Sequence, residues 1–100
     1  MRFVSDTKQA RRYFVSGVVQ GVGFRYFVVG IAERIGVSGY TRNLRDGRVE
    51  VYAVGSADQL AKLRGALERG PSGASVSEVS EEQTAPDANY AHRFVVTYDD

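Results

Sequence analysis

The stretch GVVQGVGFR, residues 17–25, carries three glycines and ends on an arginine where a strand-forming run gives way to a helical one. Glycine adopts positive φ without steric penalty, so such a turn can aim its backbone N–H groups inward as a concave nest for an anion. The following helix has Gly21, Val22 and Gly23 where a Ser, Thr, Asp or Asn cap is expected, so its first N–H donors need another acceptor. Arg25 falls in the first turn, where positive charge opposes the helix dipole. A guanidinium kept there is a fork of donors suited to a phosphate or carboxylate on the helix end. No Gly-Lys-Ser/Thr follows, which excludes a Walker A loop, and Tyr26 stands where the dinucleotide fingerprint needs its third glycine. Glycine-rich turns also join strands to helices with no ligand bound, and that plain reading stands beside the anion-binding one.

Asn43, in GYTRNLRDG over residues 39–47, is the second residue of chemical interest. Asn is disfavoured inside strands and common in turns, so a turn residue beside a hairpin is the simpler account. The alternative is an amide that orients a water, since it offers both donor and acceptor. The remaining polar groups point elsewhere. His92, the single histidine, heads the last strand and reads as a surface or edge residue. Glu78, Glu81 and Glu82 read as a solvated strand face, and Tyr40 and Tyr52 as residues that pack on the sheet.

Composition narrows the chemistry further. The chain has 100 residues, 43% hydrophobic and 25% charged, which fits one globular domain. There is no cysteine, so a disulfide framework, a thiolate nucleophile and a sulfur-ligated zinc site are excluded. One histidine leaves no multi-histidine metal site, and the expectation is that no metal is bound. Thirteen basic against twelve acidic residues give a net charge of +1, too balanced for a protein that lives on polyanions. No apolar run is long enough to span a bilayer and the N-terminus lacks the apolar core of a signal peptide, so the expected location is cytoplasmic.

These residues must be positioned by the elements around them. Residues 1–10 read as a frayed N-terminal tail, and residues 11–98 as a single domain. From Arg11 the chain is strand-like and bounded by Gly17, with Val18 and Val19 able to extend it. Phe24, Phe27, Val28, Ile31, Ala32 and Ile35 fall on one face at helical period, with Gly36 placed to stop the helix. Val37–Leu44 and Arg48–Val54 read as strands joined at Asp46-Gly47, a short-hairpin signal. In the second, Val49, Val51 and Ala53 face inward, and Arg48, Glu50 and Tyr52 are expected on a wet face. Ser56 to Gln59 form a capping box, Leu60, Leu63 and Leu67 follow at helical spacing, and Gly70-Pro71 ends the helix. A polar strand near 74–82, a loop TAPDAN and a short strand over 93–98 complete the order. The expectation is an α+β, ferredoxin-like β-α-β-β-α-β sandwich, an antiparallel sheet with two helices on one face and a short extra C-terminal strand.

GVVQGVGFR followed by GYTRNLRDGRVEVYAVG resembles the acylphosphatase family, and the likeness extends from about Arg11 to Tyr98. The resemblance implies a small monomeric cytoplasmic enzyme that hydrolyses the carboxyl–phosphate bond of acyl phosphates to a carboxylate and inorganic phosphate, with no metal and no cofactor. It implies that Arg25 grips the phosphoryl group, that Gln20, Gly21, Val22, Gly23 and Phe24 supply backbone N–H donors, and that Asn43 positions the attacking water. Thr41 stands where the family usually has a small apolar residue, a change that suits a strand and bears on rate more than on identity. The absence of a histidine or paired carboxylate near either motif agrees with a reaction in which the substrate phosphate accepts the water's proton.

Two other classes share this topology. An RNA-recognition module would carry aromatic residues in a K/R-G-F/Y-G/A-F motif on a basic sheet face, and no such motif is present. A non-catalytic phosphate-binding or regulatory domain of the same fold would bind phosphate without turnover.

Overall fold

The computed structural model describes residues 7–98. Five strands and two helices alternate as β1 (Gln9–Val18), α1 (Phe24–Ile35), β2 (Ser38–Asn43), β3 (Val49–Gly55), α2 (Ala57–Arg69), β4 (Ser75–Thr84) and β5 (Phe94–Val96), with a single 3₁₀ turn at Ala88–Tyr90. The sheet order is β4-β1-β3-β2-β5. Each helix therefore crosses over between strands that have a third strand inserted between them, the split β-α-β pattern. The first four strands are antiparallel neighbours, while β5 runs parallel to β2, so the sheet is mixed at that edge.

β1 begins at Gln9, earlier than its hydrophobic pattern indicated. Ala10 is buried and paired to both Val54 and Thr84, so the last two residues of the expected tail belong to the sheet. Residues 1–6 of that expected tail lie outside the described residues.

Both helices cover one face. Phe24, Val28 and Ala32 of α1 and Leu60, Leu63 and Leu67 of α2 pack on Tyr13, Val15, Val49, Val51 and Ala53 in one core cluster. Local signals set the helix ends. Gly36 closes α1 at φ 96°, and Ser56 and Gln59 exchange both bonds of the capping box, at 3.1 Å and 2.9 Å, to start α2.

The opposite face of β3 is not wet as the alternation suggested. Glu50 and Tyr52 are each 3% exposed. β3 lies second from neither edge but in the middle of the sheet, so long side chains from β1 and β2 close over it. Tyr40, Tyr52 and Tyr90 pack with ring centroids 4.9 to 5.9 Å apart, and Arg12 and Arg42 reach Glu50 from either side. Glu78, Glu81 and Glu82 of β4 are exposed, as the solvated-face reading expects, and Glu81 also pairs with Arg11 and Arg64, and Glu82 with Arg12.

The core also carries a testable pH dependence. Burial pushes the Tyr13 phenol up to about 12, with the nearby Glu81 charge acting in the same direction. Its hydroxyl donates to the Leu60 carbonyl at 3.2 Å, a bond only the neutral form can make. The unfolded chain releases this proton near pH ~10 while the folded chain holds it, so the contribution is complete below ~10 and lost as pH rises. Unfolding midpoints are expected to fall between about pH 10 and the raised value of about 12, and Tyr13→Phe should flatten that fall. Midpoints independent of pH across this window would contradict it.

Candidate functional site

The glycine-rich segment lies between β1 and α1 and turns back on itself through Gly21 at φ 77° and Gly23 at φ 78°. Neither position is crowded: a Cβ at either would meet nothing within 4 Å. The glycines are needed for backbone conformation rather than for space, since a side chain disfavours this left-handed region. Gly23 caps α1 with no side-chain hydrogen bond, and the first helical bond runs from Phe27 N to Gly23 O at 3.1 Å. The N–H groups of Phe24, Arg25 and Tyr26 thus precede that first bond and have no acceptor within the helix.

Two anchors hold this loop. Phe24 is buried in the core and Val22 packs against it. The second anchor is the side chain of Gln20, whose Nε2 donates to Leu44 O at 2.8 Å and to Arg48 O at 2.9 Å. Those two residues also bond to each other across the β2–β3 turn, Leu44 N to Arg48 O at 2.8 Å. The loop is therefore bolted to the tip of the hairpin, one residue from Asn43.

Asn43 ends β2 and lies opposite Val49. Residues directly opposite in an antiparallel pair share a face. Val49 belongs to the helix-side core, so Asn43 lies on the α1 side of the sheet, as does Thr41 opposite Val51. Asn43 is half-buried, and its side chain engages no hydrogen-bond partner among the described residues.

Arg25 sits in the first turn of α1, half-buried, and makes no ion pair with a carboxylate among the described residues. Its guanidinium lies 5.2 Å from the centroid of the Tyr98 ring. The chain reaches Tyr98 directly after β5, where Thr97 N donates to Thr41 O at 2.9 Å. Arg25 is thereby steered toward the same end of β2 that carries Asn43. The loop, the arginine and the asparagine are the three parts read from sequence, and all converge on one end of the sheet.

Two residues that matter here were not identified from sequence as site residues in their own right. The sequence assigns Gln20 a backbone role alone, since a lone amide inside a glycine run does not say which carbonyls its side chain meets, and it places Tyr98 only at the end of a strand. Gln20→Ala is expected to lower kcat/KM about tenfold by freeing the loop from the hairpin, with the thermal midpoint little changed. Unaltered steady-state kinetics in that variant would show that the bridge is dispensable.

Thr41, the departure from the family pattern, is fully buried and donates from Oγ1 to the Glu50 carbonyl at 2.9 Å. The hydroxyl is satisfied, so the site accommodates it without an orphaned polar group. Among the described residues no group of three or more His, Asp or Glu is arranged to hold a metal ion, and no helix is long and apolar enough to cross a membrane.

The chain matches the family model described as Acylphosphatase over residues 11–96. A Pasteurella multocida protein named acylphosphatase is 50% identical over 88 residues, which cover 88% of this chain and 97% of that one. The crystal structure of acylphosphatase from Bacillus subtilis superposes with a TM-score of 0.85 at 36% identity, covering 90% of this chain and 99% of that one. Full-length HypF, in a phosphate- and nucleotide-bound form, superposes with a TM-score of 0.79 at 26% identity over 97% of this chain and 13% of that one.

Proposed function

Since the chain belongs to the acylphosphatase family and is an acylphosphatase, a hydrolase, we propose that Arg25 and the 20–24 loop hold the phosphoryl group of a small acyl phosphate while Asn43 positions the attacking water. Phosphoryl transfer asks a protein mainly for positioning and for electrostatic stabilisation of the equatorial oxygens. The backbone donors of Gln20, Gly21, Val22, Gly23 and Phe24, at a helix N-terminus, supply part of that field, and the Arg25 fork supplies the charge. The Asn43 amide accepts from the water and keeps its lone pair on the phosphorus.

Attack forms the new P–O bond as the bond to the carboxylate oxygen breaks, and the electron pair leaves with the carboxylate. Carboxylate is a good leaving group, so no strong general acid is required. The water's proton passes to a phosphate oxygen, which accounts for a site whose named residues are an arginine and an amide. The products are a carboxylate and inorganic phosphate.

The observation that carries this reading is the Gln20 bridge, which joins the loop of Arg25 to the hairpin of Asn43. The near-balanced charge supports the reading that nucleic acid is not a partner, and the family resemblance supports a monomer in the cytoplasm. Hydrolysis of benzoyl phosphate with EDTA present is the test. Turnover in the wild type is expected, and a folded protein that binds phosphate without turning over would mark the site as a receptor.

A further inference from the structure

Three consecutive side chains of β2, the three immediately before Asn43, all end on one residue of β3. Tyr40 Oη donates to Glu50 Oε2 at 2.7 Å, and Arg42 Nε donates to Glu50 Oε1 at 2.8 Å. From the other face of the sheet, Thr41 Oγ1 donates to the Glu50 carbonyl at 2.9 Å. Arg12 Nε of β1 adds a bond to Oε2 at 3.0 Å.

The Glu50 side chain is only 4% exposed. A carboxylate withdrawn from water this far is tolerable only with several donors, and here they come from two neighbouring strands. The same bonds act in reverse. Each donor that reaches Glu50 gives up its rotamer freedom, so the backbone of residues 40–42 is held from both faces of the sheet. Arg42 lies opposite Glu50 and Asn43 opposite Val49, so the clamp ends one residue short of the amide. Thr41 carries the restraint further, because its carbonyl accepts from Thr97 N, and Tyr98 next to it faces Arg25. The chemistry proposed above makes no use of Glu50, which lies on the sheet face opposite Asn43.

We propose that Glu50 is a positioning residue for the hydrolysis, its carboxylate holding the end of β2 through Tyr40 and Arg42 so that the Asn43 amide keeps its orientation toward the water. Bulk stability does not require a carboxylate at this place, since well-packed apolar side chains commonly replace buried ion pairs without loss. Orientation does require it: an amide displaced by about 1 Å can lose on the order of 10² in rate. The inference rests on the reading of Asn43 as the water-positioning group.

The test is a double-mutant cycle between Glu50→Gln and Asn43→Ala, with kcat on benzoyl phosphate, inhibition by inorganic phosphate and thermal midpoint measured for each. Glu50→Gln is expected to lower kcat about tenfold while phosphate inhibition stays within about twofold, because Arg25 and the loop are untouched. Asn43→Ala should then cost roughly tenfold less in the Glu50→Gln background than in the wild type, since a misplaced amide has less to lose. A lowered midpoint with unchanged kcat, or a full Asn43→Ala effect in both backgrounds, would overturn the proposal and leave Glu50 as a stability element. Should Glu50→Gln fail to fold, Tyr40→Phe removes a single donor to the carboxylate and runs the same cycle: a smaller coupled loss of kcat supports the role, and additive effects overturn it. An Asn43→Ala variant with wild-type kcat would strike the water-positioning reading itself and this inference with it.

Discussion

Arg25→Ala is expected to lose both phosphate binding and turnover, with kcat/KM falling on the order of 10³ or more. Among the described residues the guanidinium is the one charged fork in the first turn of α1, and the backbone donors beside it carry only partial charge. The loss should come with little change in stability. Arg25 makes no carboxylate ion pair among the described residues, and its contact is the ring of an exposed Tyr98. A positive charge in the first turn is unfavourable to the helix, so its removal should if anything favour α1. Arg25→Lys keeps the charge and loses the planar fork, and is expected to recover only part of the binding. Steady-state kinetics on benzoyl phosphate, with competitive inhibition by inorganic phosphate, measure both quantities. A variant with normal activity would end the phosphate-clamp role.

Asn43→Ala should separate binding from chemistry. Phosphate inhibition is expected to survive, because the loop and Arg25 remain, while kcat falls on the order of 10² or more. A contact made to the attacking water is worth most in the transition state, so its loss appears in kcat rather than in KM. Asn43 is half-buried with no protein partner among the described residues, so the truncation leaves no buried polar group stranded. The opposite pattern, weakened phosphate binding with kcat intact, would move Asn43 from water positioning to substrate binding. Together the two variants distinguish a clamp from an orienting group, which neither does alone.

Much of this arrangement was legible before any coordinates. The missing cap before Phe24, the paired glycines and Arg25 in a first turn are local facts, and local backbone preferences enforce them: Gly21 and Gly23 do adopt positive φ, and α1 does start uncapped. The same holds for the capping box at Ser56 and Gln59 and for the glycine stop at Gly36. These depend on residues within a few positions of one another, so a window of sequence contains all of the relevant physics. Asn43 is harder, because an asparagine beside a hairpin reads more simply as a turn residue. Its place on the α1 side follows only from its register against Val49.

What the sequence alone determined, then, is the set of short-range features: which segments are helices, where they begin and end, and which loop has donors to spare. Tertiary structure decided the long-range ones. Alternation in β3 predicted a wet face at Glu50 and Tyr52, but a strand's pattern says nothing of what a neighbouring strand lays over it, and Arg12, Arg42 and Tyr40 cover that face. The parallel docking of β5 on β2, which brings Tyr98 to Arg25, likewise joins segments more than fifty residues apart. Gln20 meets Leu44 and Arg48 across 24 and 28 residues, a pairing no local preference encodes. The physical reason is common to all three. Backbone conformation is set by neighbours in the chain, whereas a side chain's partners are set by which surfaces the sheet order brings together.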